Sequence, residues 1–152
     1  MKIKIRYGKM SDLKAFARIA TEAFPKHDIL EECKYFKIHA KKKEVFVTEA
    51  DKKAVGFVIF SMEFWGSDTL FIHSFAVDKD YRKKGTGTVL LDKVIEMAKK
   101  KRARRIFLDT WVGNKKAIKF YKKRGFEICG YADNLYREGL RCPILSLKVK
   151  KC

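Results

Sequence analysis

Phe75-Ala76-Val77-Asp78-Lys79-Asp80-Tyr81-Arg82-Lys83-Lys84-Gly85-Thr86-Gly87 is the stretch on which the fold turns. It opens on the tail of an apolar, β-branched and aromatic run, Leu70 to Val77, that reads as a strand. It closes where Leu90, Val94, Met97 and Ala98 begin to recur at helical spacing. Between the two stand three consecutive cations, Arg82, Lys83 and Lys84, and a Gly-x-Gly turn. Glycine lets backbone N–H groups approach a ligand, the helix start adds the positive end of its dipole, and the cations add charge. Together they make a cradle for a pyrophosphate. A dinucleotide fingerprint would need glycine at position 90, which is Leu90, and no Gly-Lys-Ser/Thr phosphate loop occurs.

Upstream, Ile3 to Tyr7 alternates charged and apolar residues, as a strand does. Ser11 or Asp12 can cap a helix with Leu13, Phe16, Ala17, Ala20 and Phe24 on one face, stopping before Pro25. A more polar helix is predicted from about Ile29 to Ala40. Val45 to Ala50, Val55 to Phe64 and Leu70 to Val77 read as an antiparallel meander, split by Asp51-Lys52-Lys53 and Gly66-Ser67-Asp68. Downstream, the helix after Gly87 ends in Lys99 to Arg102, which complements its dipole. Ile106 to Trp111 is a strand, Asn114 caps a short helix through Tyr121 that Gly125 ends, and Phe126 to Tyr131 and Ile144 to Val149 are the last strands. The order β-α-α-β-β-β-α-β-α-β-β predicts an α/β (α+β) fold: a mixed, mostly antiparallel central sheet with helices on both faces. No repeat or linker divides the chain, so 1–152 is expected to be one domain.

The chain carries a formal charge of +18, concentrated downstream: residues 71–152 hold 22 Lys/Arg against 8 Asp/Glu. A field of that sign attracts polyanions, whether nucleic acid, an anionic membrane surface or a phosphorylated cosubstrate. No nucleic-acid-binding motif accompanies the charge. The four cysteines (Cys33, Cys129, Cys142, Cys152) form no Cys-x-x-Cys pair and lie far from His27, His39 and His73, so no metal site is expected. The apolar runs are too short for a membrane span, and the charged opening Lys2-Ile3-Lys4-Ile5-Arg6 is no secretory leader. Reduced thiols in the cytoplasm are expected.

The quoted stretch resembles the acetyl-CoA motif of the GNAT (GCN5-related N-acetyltransferase) superfamily, with its core [QR]-x-x-G-x-[GA]. Asn114-Lys115-Lys116-Ala117-Ile118-Lys119-Phe120-Tyr121-Lys122-Lys123-Arg124-Gly125-Phe126 resembles the family's second motif, N-x-x-A-x-x-[FL]-Y-x-x-x-G-F. The element order matches as well, so the resemblance spans essentially the whole chain. It implies the GNAT acyl-CoA N-acyltransferase fold and transfer of acetyl from acetyl-CoA to a primary amine by direct attack in a ternary complex. It further implies that the strand ending at Val77 is bulged and splays from the next, with the backbone of Phe75, Ala76 and Val77 bonding the pantetheine arm. Arg82, Lys83, Lys84, Gly85, Thr86, Gly87 and Thr88 would hold the diphosphate, Asn114 the arm, and Tyr121 would lie near the sulfur as the acid for the leaving thiolate.

His73 departs from the pattern, since many relatives of this kind carry a glutamate general base at that point of the strand. An imidazole, with pKa ~6.5, can do the same work, and burial among like charges would lower that value. A packing role, with water taking the proton, is the alternative. Thr86 stands where an aliphatic residue is usual. The acceptor side, usually lined by the first two helices and the hairpin near residues 60–68, holds Glu22, Asp28, Glu31, Glu32, Glu63 and Asp68, which would suit a cationic amine. Competing readings are a non-catalytic CoA-binding regulator and a basic nucleic-acid or ribosome-associated module. Monomer and homodimer are both open.

Overall fold

The computed structural model describes residues 2–62 and 68–150. The strands are β1 (Ile3–Tyr7), β2 (Val45–Ala50), β3 (Lys53–Met62), β4 (Thr69–Val77), β5 (Arg105–Asp109), β6 (Glu127–Asp133) and β7 (Arg141–Lys148). The helices are α1 (Leu13–Ala23), α2 (Ile29–Lys41), α3 (Thr86–Lys100) and α4 (Lys115–Lys123). The strands form a seven-stranded sheet in the order β1-β2-β3-β4-β5-β7-β6. The β1–β2, β2–β3, β5–β7 and β6–β7 pairs are antiparallel, and β4–β5 is parallel. The mixed sheet flanked by helices is the predicted fold.

Contacts group the chain into two compact units, Met1–Ser61 with His73–Glu96, and Met62–Ile72 with Met97–Cys152. In the first, α1 turns Phe16, Ile19 and Ala20 inward onto Phe36 of α2 and onto Val45, Val47, Phe57 and Ile59 of β2 and β3. The Phe16 ring lies 4.6 Å from Phe36 and 4.5 Å from Phe57. Each such side chain taken out of water contributes about 1.5–3 kcal/mol. Gly56 is required here, because a Cβ would stand 2.6 Å from Thr48 Oγ1 and 3.1 Å from Leu90 Cδ1. In the second unit the register sets Ile106 beside Leu70 and Leu147, and Leu108 beside Ile72 and Leu145. All of these except the half-buried Leu147 are buried.

Several boundaries differ from expectation for identifiable reasons. Asp12 precedes α1, but its carboxylate does not cap the helix. It takes Arg6 through two bonds of 2.8 Å and the Lys9 N–H at 2.8 Å. α3 begins at Thr86, so Gly87 is already helical. β5 stops at Asp109 rather than Trp111, because its next partner on β7 is Pro143, which has no N–H to give and only accepts from Thr110 at 3.3 Å. Glu63, Phe64, Gly66 and Ser67 of the expected strand and turn, and Cys152, lie outside the described residues. Cys33, Cys129 and Cys142 are free thiols.

Candidate active site

The stretch Asp78–Thr88 is built by local chemistry in the first unit. Asp78 is buried at the end of β4; its carboxylate accepts from Arg18 at 2.6 Å and from the Asp80 N–H at 3.0 Å, which starts a one-turn 3-10 helix. Burial alone would raise its pKa, but these donors hold it below the usual carboxylate value. Arg82 then folds back, Nε donating to Val77 O at 3.0 Å, with its other edge 3.6 Å from Glu22. Lys83 and Gly85 both take positive φ, 60° and 85°. Backbone alternating in this way turns successive N–H groups toward one side, the concavity that binds anions. Val89 N–H returns to Gly85 O at 3.0 Å, and the amides of Thr86, Gly87 and Thr88 form the open first turn of α3.

These residues fit the diphosphate of acetyl-CoA. Nothing lies within 4 Å of where a Gly85 Cβ would be, and Arg82, Lys83 and Lys84 are exposed around the turn. The Thr86 hydroxyl is buried with no hydrogen-bond partner among the described residues. Before the turn, Ala76 is buried and Phe75 and Val77 are half-buried. The carbonyl of Val77 is already occupied by Arg82.

His73 sits on β4 of the same unit, half-buried. Its Nδ1 is 3.3 Å from Tyr35 Oη and its Nε2 is 2.5 Å from Ser61 Oγ. Its ring lies 5.1 Å from the ring of His39, whose Nδ1 is 2.8 Å from Glu44 Oε1. Burial, and then the neighbouring His39, push the His73 pKa down to about 4. The expected direction is present, and the ring is neutral at pH 7. Tyr35, Ser61, His39 and Glu44 escaped the sequence reading because their spacing along the chain carries no motif.

In the second unit, Asn114 caps α4: Oδ1 accepts from Ala117 N–H at 3.4 Å and Nδ2 donates to Thr110 Oγ1 at 3.1 Å. Tyr121 is buried, edge-on to Phe120 at 5.3 Å and to Phe126 at 5.5 Å. Burial raises its pKa well above that of a free phenol, so it holds its proton. Asp109, at the end of β5, was not singled out in the sequence. It is half-buried, accepts from Tyr136 Oη at 2.7 Å, and burial raises its pKa against the lowering effect of that bond. Of the acidic residues read as facing the acceptor, Glu22 meets Lys79 and Arg82, Asp28 caps α2, Glu31 meets Lys34, Glu32 meets His27, and Asp68 meets Arg104. Glu22, Glu31 and Asp68 are thus paired with lysine or arginine within the chain, and Glu63 lies outside the described residues.

Residues 12–126 match the acetyltransferase (GNAT) family. The chain belongs to that family. It is thus an acetyltransferase domain, and the relatives it resembles differ in coverage. It is 46% identical over 101 residues to an uncharacterized N-acetyltransferase of Methanocaldococcus jannaschii, spanning 61% of this chain but only 44% of that protein. It is 30% identical to an N-alpha-acetyltransferase of Sulfurisphaera tokodaii across 90% of this chain and 87% of the other. The Arabidopsis thaliana Naa50 structure, solved in complex with a bisubstrate analogue CoA-Ac-MVNAL, is 27% identical with a TM-score of 0.82, over 97% of this chain and 99% of that one.

Proposed function

We propose that this domain, residues 1–152 acting as one, transfers acetyl from acetyl-CoA to the α-amine of a protein or peptide by direct attack in a ternary complex. The observation that carries the reading is the Arg82–Thr88 turn, where positive-φ backbone, an open helix start and three cations meet. The choice of α-amine rests on the N-alpha-acetyltransferase of Sulfurisphaera tokodaii, alike over nearly its whole length, and on the CoA–peptide analogue bound to Naa50. Action in the cytoplasm, as a monomer or homodimer, belongs to the same proposal.

Acetyl-CoA supplies an activated acyl group, and the chain's residues do the rest. The amides and side chains of Arg82, Lys83, Lys84, Gly85, Thr86, Gly87 and Thr88 hold the diphosphate; Phe75, Ala76 and Val77 offer backbone to the pantetheine arm, and Asn114 steadies it. Tyr121 gives a proton to the departing thiolate. His73, neutral at pH 7, receives the proton of the attacking amine through whichever hydroxyl, Tyr35 or Ser61, faces it.

A second proton acceptor is favoured by one observation. Asp109 is a half-buried carboxylate whose pKa burial raises, and a carboxylate shifted in that direction accepts a proton more readily than an ordinary exposed one. Mass spectrometry of an acetyl-CoA reaction with free-N-terminus and N-terminally blocked lysine peptides tests the acceptor. Product on the blocked lysine peptides alone would overturn the α-amine reading. Comparing His73→Gln with Asp109→Asn at pH 7 separates the bases, since the true base should cost about a hundredfold in kcat.

A further inference from the structure

Register gathers the cations of the second unit at one pole. Arg105 lies opposite both Thr69 and Lys148, and Glu127 opposite Ser146, so β5 and β6 begin at the end where β7 finishes. Lys99, Lys100, Lys101 and Arg102 lead directly into the start of β5, and Lys122 and Lys123 end α4 just before β6. All six are exposed, and among the described residues none forms an ion pair. The carboxylates at this pole are few: Asp68 is engaged by Arg104 at 3.1 Å, and Glu127 is exposed. The helix dipoles favour cations in the last turns of α3 and α4, but they do not account for the density of charge on α4. Lys115 to Arg124 holds six cations and no acid, so its (i, i+3) and (i, i+4) neighbours repel.

We propose that this pole binds the phosphate backbone of a nucleic acid, without reading its sequence. It goes beyond acetyl transfer, because Asn114 and the residues after β5 stand at the opposite end of the unit. Dense, unpaired cations match a polymer bearing one charge per nucleotide. A lipid surface fits less well. Among the described residues, the large exposed apolar ones of this unit, Trp111, Val112, Tyr131, Leu135 and Tyr136, follow or close β5 and β6 rather than precede them, so none of them stands at the cationic pole to insert.

The test is fluorescence anisotropy of the full chain with a labelled, unstructured 20-nucleotide RNA across a potassium chloride series. Binding should weaken with salt at a log–log slope of about −3, as for roughly four single-strand phosphates. The triple variant Lys100→Gln/Lys122→Gln/Lys123→Gln should bind at least tenfold more weakly at 0.1 M salt, its slope reduced by about 2, with acetyl-CoA affinity unchanged. A control triple on the first unit, Lys41→Gln/Lys42→Gln/Lys43→Gln, should keep most of the binding. Equal loss in both triples would reduce the effect to net charge and overturn the proposal. So would displacement of the RNA by saturating CoA, or equally tight, equally triple-sensitive binding of phosphatidylserine vesicles.

Discussion

Two hydroxyls bracket the imidazole of His73, and a second histidine lies 5.1 Å from it. A base whose folded pKa lies near 4 is unprotonated at neutral pH, but the unfolded chain takes up that proton near 6.5. Between those values the unfolded state binds more protons than the folded one, so stability falls as pH falls through that window. The melting temperature should therefore decline from pH 6.5 to 4, and the His73→Gln variant should lose part of the slope. If His73 takes the amine's proton, the acid limb of the rate profile should also sit near 4 and not near 6.5. An unchanged limb in His73→Gln would assign the proton to Asp109 or water. Tyr121 makes a separate demand. Buried between Phe120 and Phe126, its hydroxyl is asked to act only as the thiolate leaves. Tyr121→Phe should lower kcat about a hundredfold while acetyl-CoA affinity stays within twofold, by stopped-flow and equilibrium titration.

At the scale of elements, two glycines do different work. Gly85 faces open space but has φ of 85°, so a valine there is penalised by its backbone, by about 1–2 kcal/mol, and not by a clash. Gly85→Val should distort the turn and weaken acetyl-CoA binding at least tenfold by calorimetry in a protein that still melts cooperatively. Retained affinity would move the diphosphate elsewhere. Gly56 is the converse case, where the added methyl meets Thr48 Oγ1 and Leu90 Cδ1 across the β3–α3 packing. Gly56→Ala should lower unfolding free energy by about 1–3 kcal/mol in denaturant titration. Its acetyl-CoA affinity should be little altered when measured well below the melting temperature.

For the whole molecule the dominant quantity is +18 of formal charge. Self-repulsion on that scale opposes compaction and is screened within about 10 Å at 0.1 M salt. Raising sodium chloride from 0.01 to 0.3 M should therefore raise the melting temperature, in contrast to a protein held by surface ion pairs. A fall over that range would mean that pairs such as Arg6–Asp12 and Arg18–Asp78 outweigh the repulsion.

Periodicity and composition were enough for the element order, since each strand and helix declares itself by which side chains recur at two or at 3.6 residues. The turn before α3 was legible too, because its glycine, its cations and the helix start are consecutive in the chain. So were Asn114 as a cap and Tyr121 on the inner side of α4. Tertiary structure alone decided what depends on residues far apart in sequence. Asp12 holds Arg6 of β1 rather than capping α1, β5 ended where Pro143 has no donor, and Asp109 acquired its raised pKa from burial, against the lowering bond from Tyr136. The environment of His73 belongs to the same class: Tyr35, His39, Glu44 and Ser61 come from α2, β3 and the turn between α2 and β2, and only packing brings them together. A titratable group's chemistry is set by its neighbours in space, and local spacing carries no record of those that arrive from other elements.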